Sequence, residues 1–220
     1  MKRLILIRHG ESEGNVDPSI YMHKQDHEIS LTEKGSKDSV LAGEILNKIL
    51  LAPQKESLSN LLFDIDKKKP VKTVAFISPF LRTRQTWQSM ATQLDSVIHY
   101  QVLEDLRLIE KKWEIFKTKE EMDQFVKSPD FQNIFYRNNN SEALADVSQR
   151  IASFVDSLAL KASLNKLPDD VIIVSHWWAL CLMLIYLEQK PYEQFFGMKI
   201  KNCDPLVINI EDTWIGKSYK

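Results

Sequence analysis

The sequence predicts a three-layer α/β/α fold with a mainly parallel central sheet. Residues 4–7 and 171–174 are uninterrupted aliphatic runs, which is typical of strands covered on both faces. Such strands alternate with segments of helical periodicity along the 220 residues. Both runs are followed closely by a histidine, His9 and His176, at the edge where open α/β sheets bind their ligands. Two separate strands are therefore expected to bring two imidazoles to one rim.

The first half of the chain is predicted to contain three strands and two helices in alternation. The first strand covers residues 3–8, the second 73–77, and the third lies near 99–103. A capping-box pattern at Ser30 to Glu33 opens the first helix, and Pro79 is tolerated in the first turn of the second. The inward face of the first helix is expected to consist of Leu41, Ile45, Leu46 and Ile49.

The second half is predicted to contain a helical insertion, a long helix, a buried strand with its helix, and an edge strand. Segment 112–140 is rich in charged and aromatic residues without strand periodicity, and is interpreted as a lid over the sheet rim. Ser141 is expected to cap the long helix, and residues 206–210 to form the edge strand. Residues 1–220 are interpreted as one domain. The inward residues of the long helix are Val147, Ile151, Phe154 and Leu158.

Composition excludes several partner classes. The 29 basic and 30 acidic residues leave a net charge of −1, so no global field attracts nucleic acid, and Lys67 to Lys69 are interpreted as a solvated turn. Cys181 and Cys203 have neither metal-ligand nor disulfide spacing, which favours a reducing compartment. The apolar tract 171–187 is interpreted as core rather than as a membrane span, and no signal peptide is recognised. A cytoplasmic location is expected.

Four short blocks occur in order, each near the end of a predicted strand or the start of a helix. They are Arg8-His9-Gly10-Glu11-Ser12 with Asn15, Leu31-Thr32 with Gly35, Ser78-Pro79-Phe80-Leu81-Arg82-Thr83 with Gln85-Thr86, and Val174-Ser175-His176. Together they resemble the histidine phosphatase superfamily, whose founding members are phosphoglycerate mutases. Two further stretches, 107–113 and 135–150, resemble the phosphatase branch of that family. The resemblance implies a phosphoglycerate mutase-like fold.

The residue types suit a phosphoryl group. Arg8 and Arg82 each offer a planar pair of donors to phosphate oxygens and stay protonated. Phosphoryl transfer requires mainly positioning and charge stabilisation, which such forks provide. Their positive charge also lowers the pKa of a nearby histidine and so favours a neutral, nucleophilic His9. By resemblance, His9 attacks phosphorus and becomes phosphohistidine.

The resemblance implies roles for three more residues. His176 is the second imidazole, protonated when phosphate is bound and donating a hydrogen bond to it. Glu110, favoured over Glu104, is the general acid and afterwards activates water. Asn15 holds either the phosphate or the loop after His9. The arginines and His176 replace the cation of other phosphoryl-transfer sites, so no metal or other cofactor is expected.

The chain departs from the family pattern at two positions. Trp177 and Glu114 each stand where relatives usually have glycine. A large ring at Trp177 narrows a pocket if it points into it, although we interpret this residue and Trp178 as packing residues. Glu114 implies a differently shaped acid loop. The remaining histidines, His23, His27 and His99, fit no metal-ligand spacing and are interpreted as surface or loop residues.

The predicted function is a metal-independent phosphomonoesterase acting on a small phosphorylated substrate through phosphohistidine. One alternative is a phosphoglycerate mutase, although no counterpart of the long substrate loop of cofactor-dependent mutases is recognised. Another is a catalytically weak or silent member that binds phosphorylated ligands. The physiological substrate stays open, and both a monomer and a homodimer are compatible with the sequence.

Overall fold

The computed structural model describes residues 1–52, 70–112, 118–137 and 141–218. Within them the sheet consists of Arg3–Arg8 (β1), Val71–Ile77 (β2), Ile98–Glu104 (β3), Asp170–Ser175 (β4) and Leu206–Asn209 (β5). All five strands were predicted within a few residues of these bounds. The predicted turn at Lys67 to Lys69 lies outside the described residues.

The sheet has the strand order β3-β2-β4-β1-β5. The first four strands are parallel, and β5 pairs antiparallel with β1 at one edge, which confirms the mainly parallel sheet. In the register of the two central strands, Ile7 pairs with Val174 and Arg8 with Ser175. The residues that follow, His9 and His176, therefore leave neighbouring strands at the same edge.

The sheet is buried on both faces by two separate apolar clusters. Leu4 and Leu6 of β1 belong to one cluster, whereas Ile5 and Ile7 belong to the other, and all four are fully buried. Alternate side chains of a strand point to opposite faces, so both faces need a covering layer. Burying one such side chain contributes about 1.5–3 kcal/mol, so β1 is held by the layers on both of its faces.

Eight helices among the described residues form the outer layers. They are Glu13–Val16 (α1), Glu33–Leu51 (α2), Leu81–Ala91 (α3), Lys119–Lys127 (α4), Pro129–Gln132 (α5), Leu144–Ser163 (α6), Trp177–Glu188 (α7) and Trp214–Ser218 (α8). The α2 and α3 helices cover one face, and α6 and α7 cover the other. The predicted α/β/α layering is therefore confirmed.

Two helix starts differ from the predicted ones. Thr32, rather than Ser30, is the N-cap of α2, and its hydroxyl accepts a hydrogen bond from Gly35 N at 3.0 Å. Pro79 lies before α3 rather than in its first turn, because the extended residue Phe80 is the N-cap. Before α2, Leu31 forms an isolated β-bridge with Ser12, and before α3, Phe80 N donates a hydrogen bond to Ser78 Oγ, so both helices start later than predicted.

The inward face of α2 was only partly predicted. Leu46 is fully buried, but Leu41 and Ile45 are 56% and 45% exposed. The helix instead turns its small residues towards α3, where a methyl group on Gly43 would lie 2.5 Å from Met90 O. Because the two helix backbones approach each other this closely, the face of α2 that carries Ala42 and Gly43 turns towards α3. The face that carries Leu41 stays exposed.

The start of α6 also differs from the prediction. Ala143, not Ser141, is its N-cap, and Asp146 Oδ2 accepts a hydrogen bond from Ala143 N at 2.7 Å. A carboxylate in the first turn thus replaces the expected serine cap. The four residues predicted to face inward are all fully buried: Val147, Ile151, Phe154 and Leu158.

The predicted insertion contains the short helices α4 and α5. The ring of Phe131 in α5 packs edge-on against Trp178, with centroids 6.1 Å apart. Because Trp178 lies in the first turn of α7, α5 contacts the sheet edge at which His9 and His176 emerge. Glu114 and the residues around it lie outside the described part of the chain. Within the described part, none of the helices combines the length and apolar character needed to cross a membrane.

Candidate active site

The loop that carries His9 is fixed by backbone contacts on several sides. His9 N donates to Ser175 O at 3.0 Å, and Asn202 Nδ2 donates to His9 O at 2.6 Å. The next amide, Gly10 N, donates to Thr86 Oγ1 at 2.9 Å. A methyl group on Gly10 would lie 2.5 Å from Gly35 O, so only glycine allows the loop to pack this closely on α2. The residues around His9 thus act as a rigid support.

Two hydrogen bonds determine which ring nitrogen of His9 carries the proton and which carries the lone pair. Nδ1 lies 2.7 Å from Gly10 O, a pure acceptor, so Nδ1 carries the proton. Arg82 Nε, a pure donor, lies 3.3 Å from His9 Nε2, so Nε2 carries the lone pair. Burial, together with Arg82 and Arg8, holds the pKa of His9 well below its usual value. His9 is therefore a neutral imidazole with Nε2 directed at Arg82.

Arg82 links His9 to a loop on the opposite side of the site. The side chain is only 1% exposed, and its Nη1 donates to Asp26 O at 2.6 Å. The same Nη1 lies 2.7 Å from Asp26 Oδ1 and forms an ion pair with it. Among the described residues, Asp26 Oδ1 is nevertheless buried without a directed hydrogen bond. A carboxylate therefore shares Arg82 with His9 Nε2.

Arg8 and His176 complete the arrangement that the sequence predicted. The His176 ring lies 5.1 Å from the ring of His9, and Arg8 Nη1 donates to Ile200 O at 3.1 Å. Within the described ranges, two buried donor positions have no hydrogen-bond partner: Arg8 Nε and His176 Nδ1. Buried nitrogens without partners are costly, and they are typical of sites that bind a ligand.

The loop that carries Glu110 is held by a partly buried arginine. Arg150 Nη1 donates to Arg107 O at 2.7 Å and to Ile109 O at 2.9 Å, and its Nη2 donates to Glu110 O at 3.1 Å. The same guanidinium pairs with Glu142 at 2.9 Å. Arg150 and Glu142 therefore fix the position of the backbone at Glu110.

Glu110, rather than Glu104, lies at the site. Burial raises the pKa of the Glu110 carboxyl to about 7, while Arg82 and Arg8 act on it in the opposite direction. Glu104 instead forms an exposed ion pair with Arg84 at 2.6 Å. A pKa near 7 allows one carboxyl group to act as an acid and then as a base at neutral pH.

We expect Glu110→Gln to raise the melting temperature at pH 8 and to leave it unchanged at pH 4. The pKa of this group is about 7 in the folded protein against an ordinary value of 4.5. The partly buried carboxyl has no effect below the ordinary value, and it lowers the stability of the fold as pH rises from 4.5 to about 7, because the unfolded chain ionises first. Thermal unfolding of both proteins at the two pH values measures the difference. Equal melting temperatures at pH 8 would contradict the assigned burial.

Asn15 contacts the loop after His9. Its Oδ1 accepts hydrogen bonds from Ser12 N at 3.0 Å and from Ser12 Oγ at 3.1 Å. Asn202 Nδ2 also reaches this oxygen, at 3.5 Å. Of the two roles expected for Asn15, these contacts correspond to holding the loop, whereas phosphate binding stays a prediction.

Sequence reasoning missed three residues around the site. Asp26 pairs with Arg82, Asn202 supports His9, and Tyr21 lies close enough to Arg82 and Asp26 to interact with both electrostatically. Burial raises the pKa of Tyr21 to about 12. Tyr21 and Asp26 lie in short 3-10 helices, and Asn202 forms an isolated β-bridge with Arg8, so periodicity gave no signal for them. In the described segments, no cluster of three or more histidine, cysteine or acidic residues is arranged to hold a metal ion.

Trp177 packs into the core beside the site. Its indole contacts Trp178 and Phe195, with ring centroids 5.5 and 5.0 Å away. The rings that contact His176 are those of His9 and Phe80. These contacts agree with the interpretation of both tryptophans as packing residues.

Comparison with known proteins identifies the family. Residues 51–215 match the profile of the histidine phosphatase superfamily (branch 1). The chain belongs to this superfamily. The predicted resemblance is therefore confirmed, and the matched range includes Arg82, Glu110 and His176.

Members with known sequence or structure resemble much of the chain. Phosphoglycerate mutase-like protein AT74 of Arabidopsis thaliana is 31% identical over 204 residues, covering 90% of this chain but 61% of that protein. Broad-range acid phosphatase DET1 of Saccharomyces cerevisiae is 21% identical and covers 96% of this chain and 86% of its own length. The structure of Bacillus stearothermophilus YhfR has a TM-score of 0.67 at 22% identity, over 95% of this chain and 91% of that one. This chain thus spans about three fifths of its plant relative.

Proposed function

We propose that this protein is a metal-independent phosphomonoesterase that works through a phosphohistidine at His9. The observation that carries the proposal is an unprotonated ring nitrogen, His9 Nε2, in a site where two buried nitrogens have no partner among the described residues, Arg8 Nε and His176 Nδ1. A phosphoryl group supplies what this arrangement lacks, because its oxygens accept from both donors while phosphorus faces the nitrogen lone pair.

The first step transfers the phosphoryl group to the protein. The guanidinium groups of Arg8 and Arg82 bind the phosphate oxygens, and Arg82 Nε–H turns from His9 Nε2 to one of them. The Nε2 lone pair then forms a bond to phosphorus as the bond between phosphorus and the ester oxygen breaks. Protonated Glu110 gives its proton to that oxygen, so the leaving group departs as a neutral alcohol.

The second step returns the protein to its starting state. Glu110, now a carboxylate, takes a proton from a water molecule that attacks phosphorus. The bond between phosphorus and Nε2 breaks, inorganic phosphate leaves, and Glu110 is again protonated. A pKa of about 7 suits both halves of this cycle at neutral pH.

The names of the two relatives support a phosphatase or a mutase, and the yeast relative is named a broad-range acid phosphatase. A mutase returns the phosphoryl group to a second substrate hydroxyl, whereas a phosphatase gives it to water. We favour water because no counterpart of the long mutase substrate loop is present in the sequence. We further propose that the chain is one domain in which α4 and α5 bound the leaving-group side.

Acid quenching followed by phosphorus NMR tests the proposal. The full chain is incubated with p-nitrophenyl phosphate and a chelator, and both released phosphate and protein-bound phosphorus are measured. We expect steady phosphate release and an acid-labile phosphoramidate signal. Release that depends on an added metal, or turnover without any phosphoramidate, contradicts the mechanism. Tight phosphate binding without turnover would identify a binding member instead.

Asp26→Asn is expected to tighten inhibition by inorganic phosphate. The amide keeps the shape of the carboxylate but not its charge, so phosphate no longer shares Arg82 with a second anion. We expect the Ki of phosphate to fall by about fivefold, since one charge at a partly exposed site is worth on the order of 1 kcal/mol. Asp38→Asn is a matched control because Asp38 pairs with Lys34 at the surface. Unchanged or weaker inhibition in Asp26→Asn argues against this competition.

A further inference from the structure

The ring of His176 has one hydrogen-bond partner on one nitrogen and none on the other. His176 Nε2 lies 2.8 Å from Ser78 Oγ, and both side chains are fully buried. His176 Nδ1 is buried without a partner in the described part of the chain. The proton position on this ring therefore depends on what Ser78 does.

The other hydrogen bond of Ser78 Oγ determines which partner donates in the contact between Ser78 and His176. Ser78 Oγ accepts a hydrogen bond from Phe80 N at 3.4 Å. Its own hydroxyl proton needs an acceptor, and among the described residues the contact that can serve is His176 Nε2. If Ser78 donates to Nε2, this nitrogen holds the lone pair, and a neutral ring must then carry its proton on Nδ1.

We propose that Ser78 is a positioning residue that fixes His176 as the Nδ1–H tautomer, so that a neutral ring donates to a phosphoryl oxygen. This inference rests on the proposed function. The opposite tautomer would direct the Nδ1 lone pair at an oxygen that also carries lone pairs, and the contact would become repulsive. The serine hydroxyl thus converts one imidazole into a donor without adding charge.

The electrostatic surroundings agree with this assignment. Burial, Arg82 and His9 hold the pKa of His176 well below its usual value, with further contributions from Arg150 and Arg8. The ring is therefore neutral at neutral pH in the ligand-free protein. The sequence-based expectation that His176 donates as a protonated imidazolium is not needed, because the Nδ1–H tautomer supplies the donor. An acidic partner in place of Ser78 would instead have favoured the charged ring.

Nitrogen NMR of the ligand-free protein tests the tautomer directly. Protein labelled with ¹⁵N at its histidines is compared with His176→Gln to assign the ring. We expect a protonated Nδ1 and a bare Nε2 in the wild type, and loss of this preference in Ser78→Ala, because the hydrogen bond of one ring nitrogen sets the state of the other. Ser78→Thr keeps a hydroxyl and is expected to restore it. Ser39→Ala removes a buried hydroxyl that contacts Gly35 O and Cys203, and is the control.

Phosphate affinity provides the second readout. We expect Ser78→Ala to bind inorganic phosphate about tenfold more weakly, with Ser78→Thr close to wild type and Ser39→Ala unchanged. A wild-type His176 protonated on Nε2, or a Ser78→Ala protein with the wild-type tautomer, overturns the inference. The tautomer is read without turnover, so a protein that shows it but forms no phosphohistidine would overturn only the proposed function.

Discussion

His9→Ala is expected to reduce phosphate release by on the order of 10⁴-fold or more and to remove the phosphoramidate signal. The substitution deletes the lone pair of Nε2, which is the bare ring nitrogen beside Arg82. Arg8 and Arg82 stay in place, so the variant should still bind inorganic phosphate. Initial rates with p-nitrophenyl phosphate, together with calorimetric phosphate titration, separate the loss of chemistry from the loss of binding.

His9→Gln is a second variant that fills more of the buried space than alanine does. His99→Ala removes an exposed imidazole from β3 and serves as the control, with unchanged rates expected. Circular dichroism establishes that each variant is folded. Turnover by folded His9→Ala at the wild-type rate would refute the role of His9 as the nucleophile.

Glu110→Gln is expected to have the second largest effect, and its size should depend on the leaving group. With an alkyl phosphate the leaving oxygen needs a proton, so we expect a loss of about 10²–10⁴-fold. With p-nitrophenyl phosphate the leaving group departs without a proton, so the first step needs no general acid. Hydrolysis of the phosphohistidine still needs a base. The phosphoramidate should therefore accumulate in this variant, and quenched-flow measurements of both steps detect it.

The rates of both steps should depend on the protonation state of the Glu110 carboxyl group. Its pKa is about 7, so transfer to His9 is favoured below pH 7, where Glu110 is protonated, and hydrolysis above it. Glu110→Gln should remove these dependences. Glu104→Gln disrupts only the surface pair with Arg84, and it is expected to leave the pH dependence of both transfer and hydrolysis unchanged. Equal activity of Glu110→Gln on alkyl phosphates would exclude Glu110 as the proton donor.

The sequence predicted the strands well because their burial leaves a local signature. The aliphatic runs of β1 and β4 are covered on both faces, so every residue in them is apolar. This pattern can be recognised without knowing which segments cover the strands. The same reasoning failed for α2. Leu41 and Ile45 fit a helical stripe, yet the close packing of Gly43 against Met90 turned another face inward. A prediction based on the spacing of large apolar side chains does not detect small residues at a contact between two helices.

The sequence by itself determined the sheet, its polar rim and the family, because strand periodicity and ordered motifs are properties of short segments. Only the tertiary structure decided how the side chains use one another. Asp26 pairs with Arg82, Arg150 holds the Glu110 loop, and Ser78 contacts His176 across 98 positions of the chain. Such contacts depend on where separate segments meet, and the pKa of Glu110 near 7 arises from burial that those segments create together.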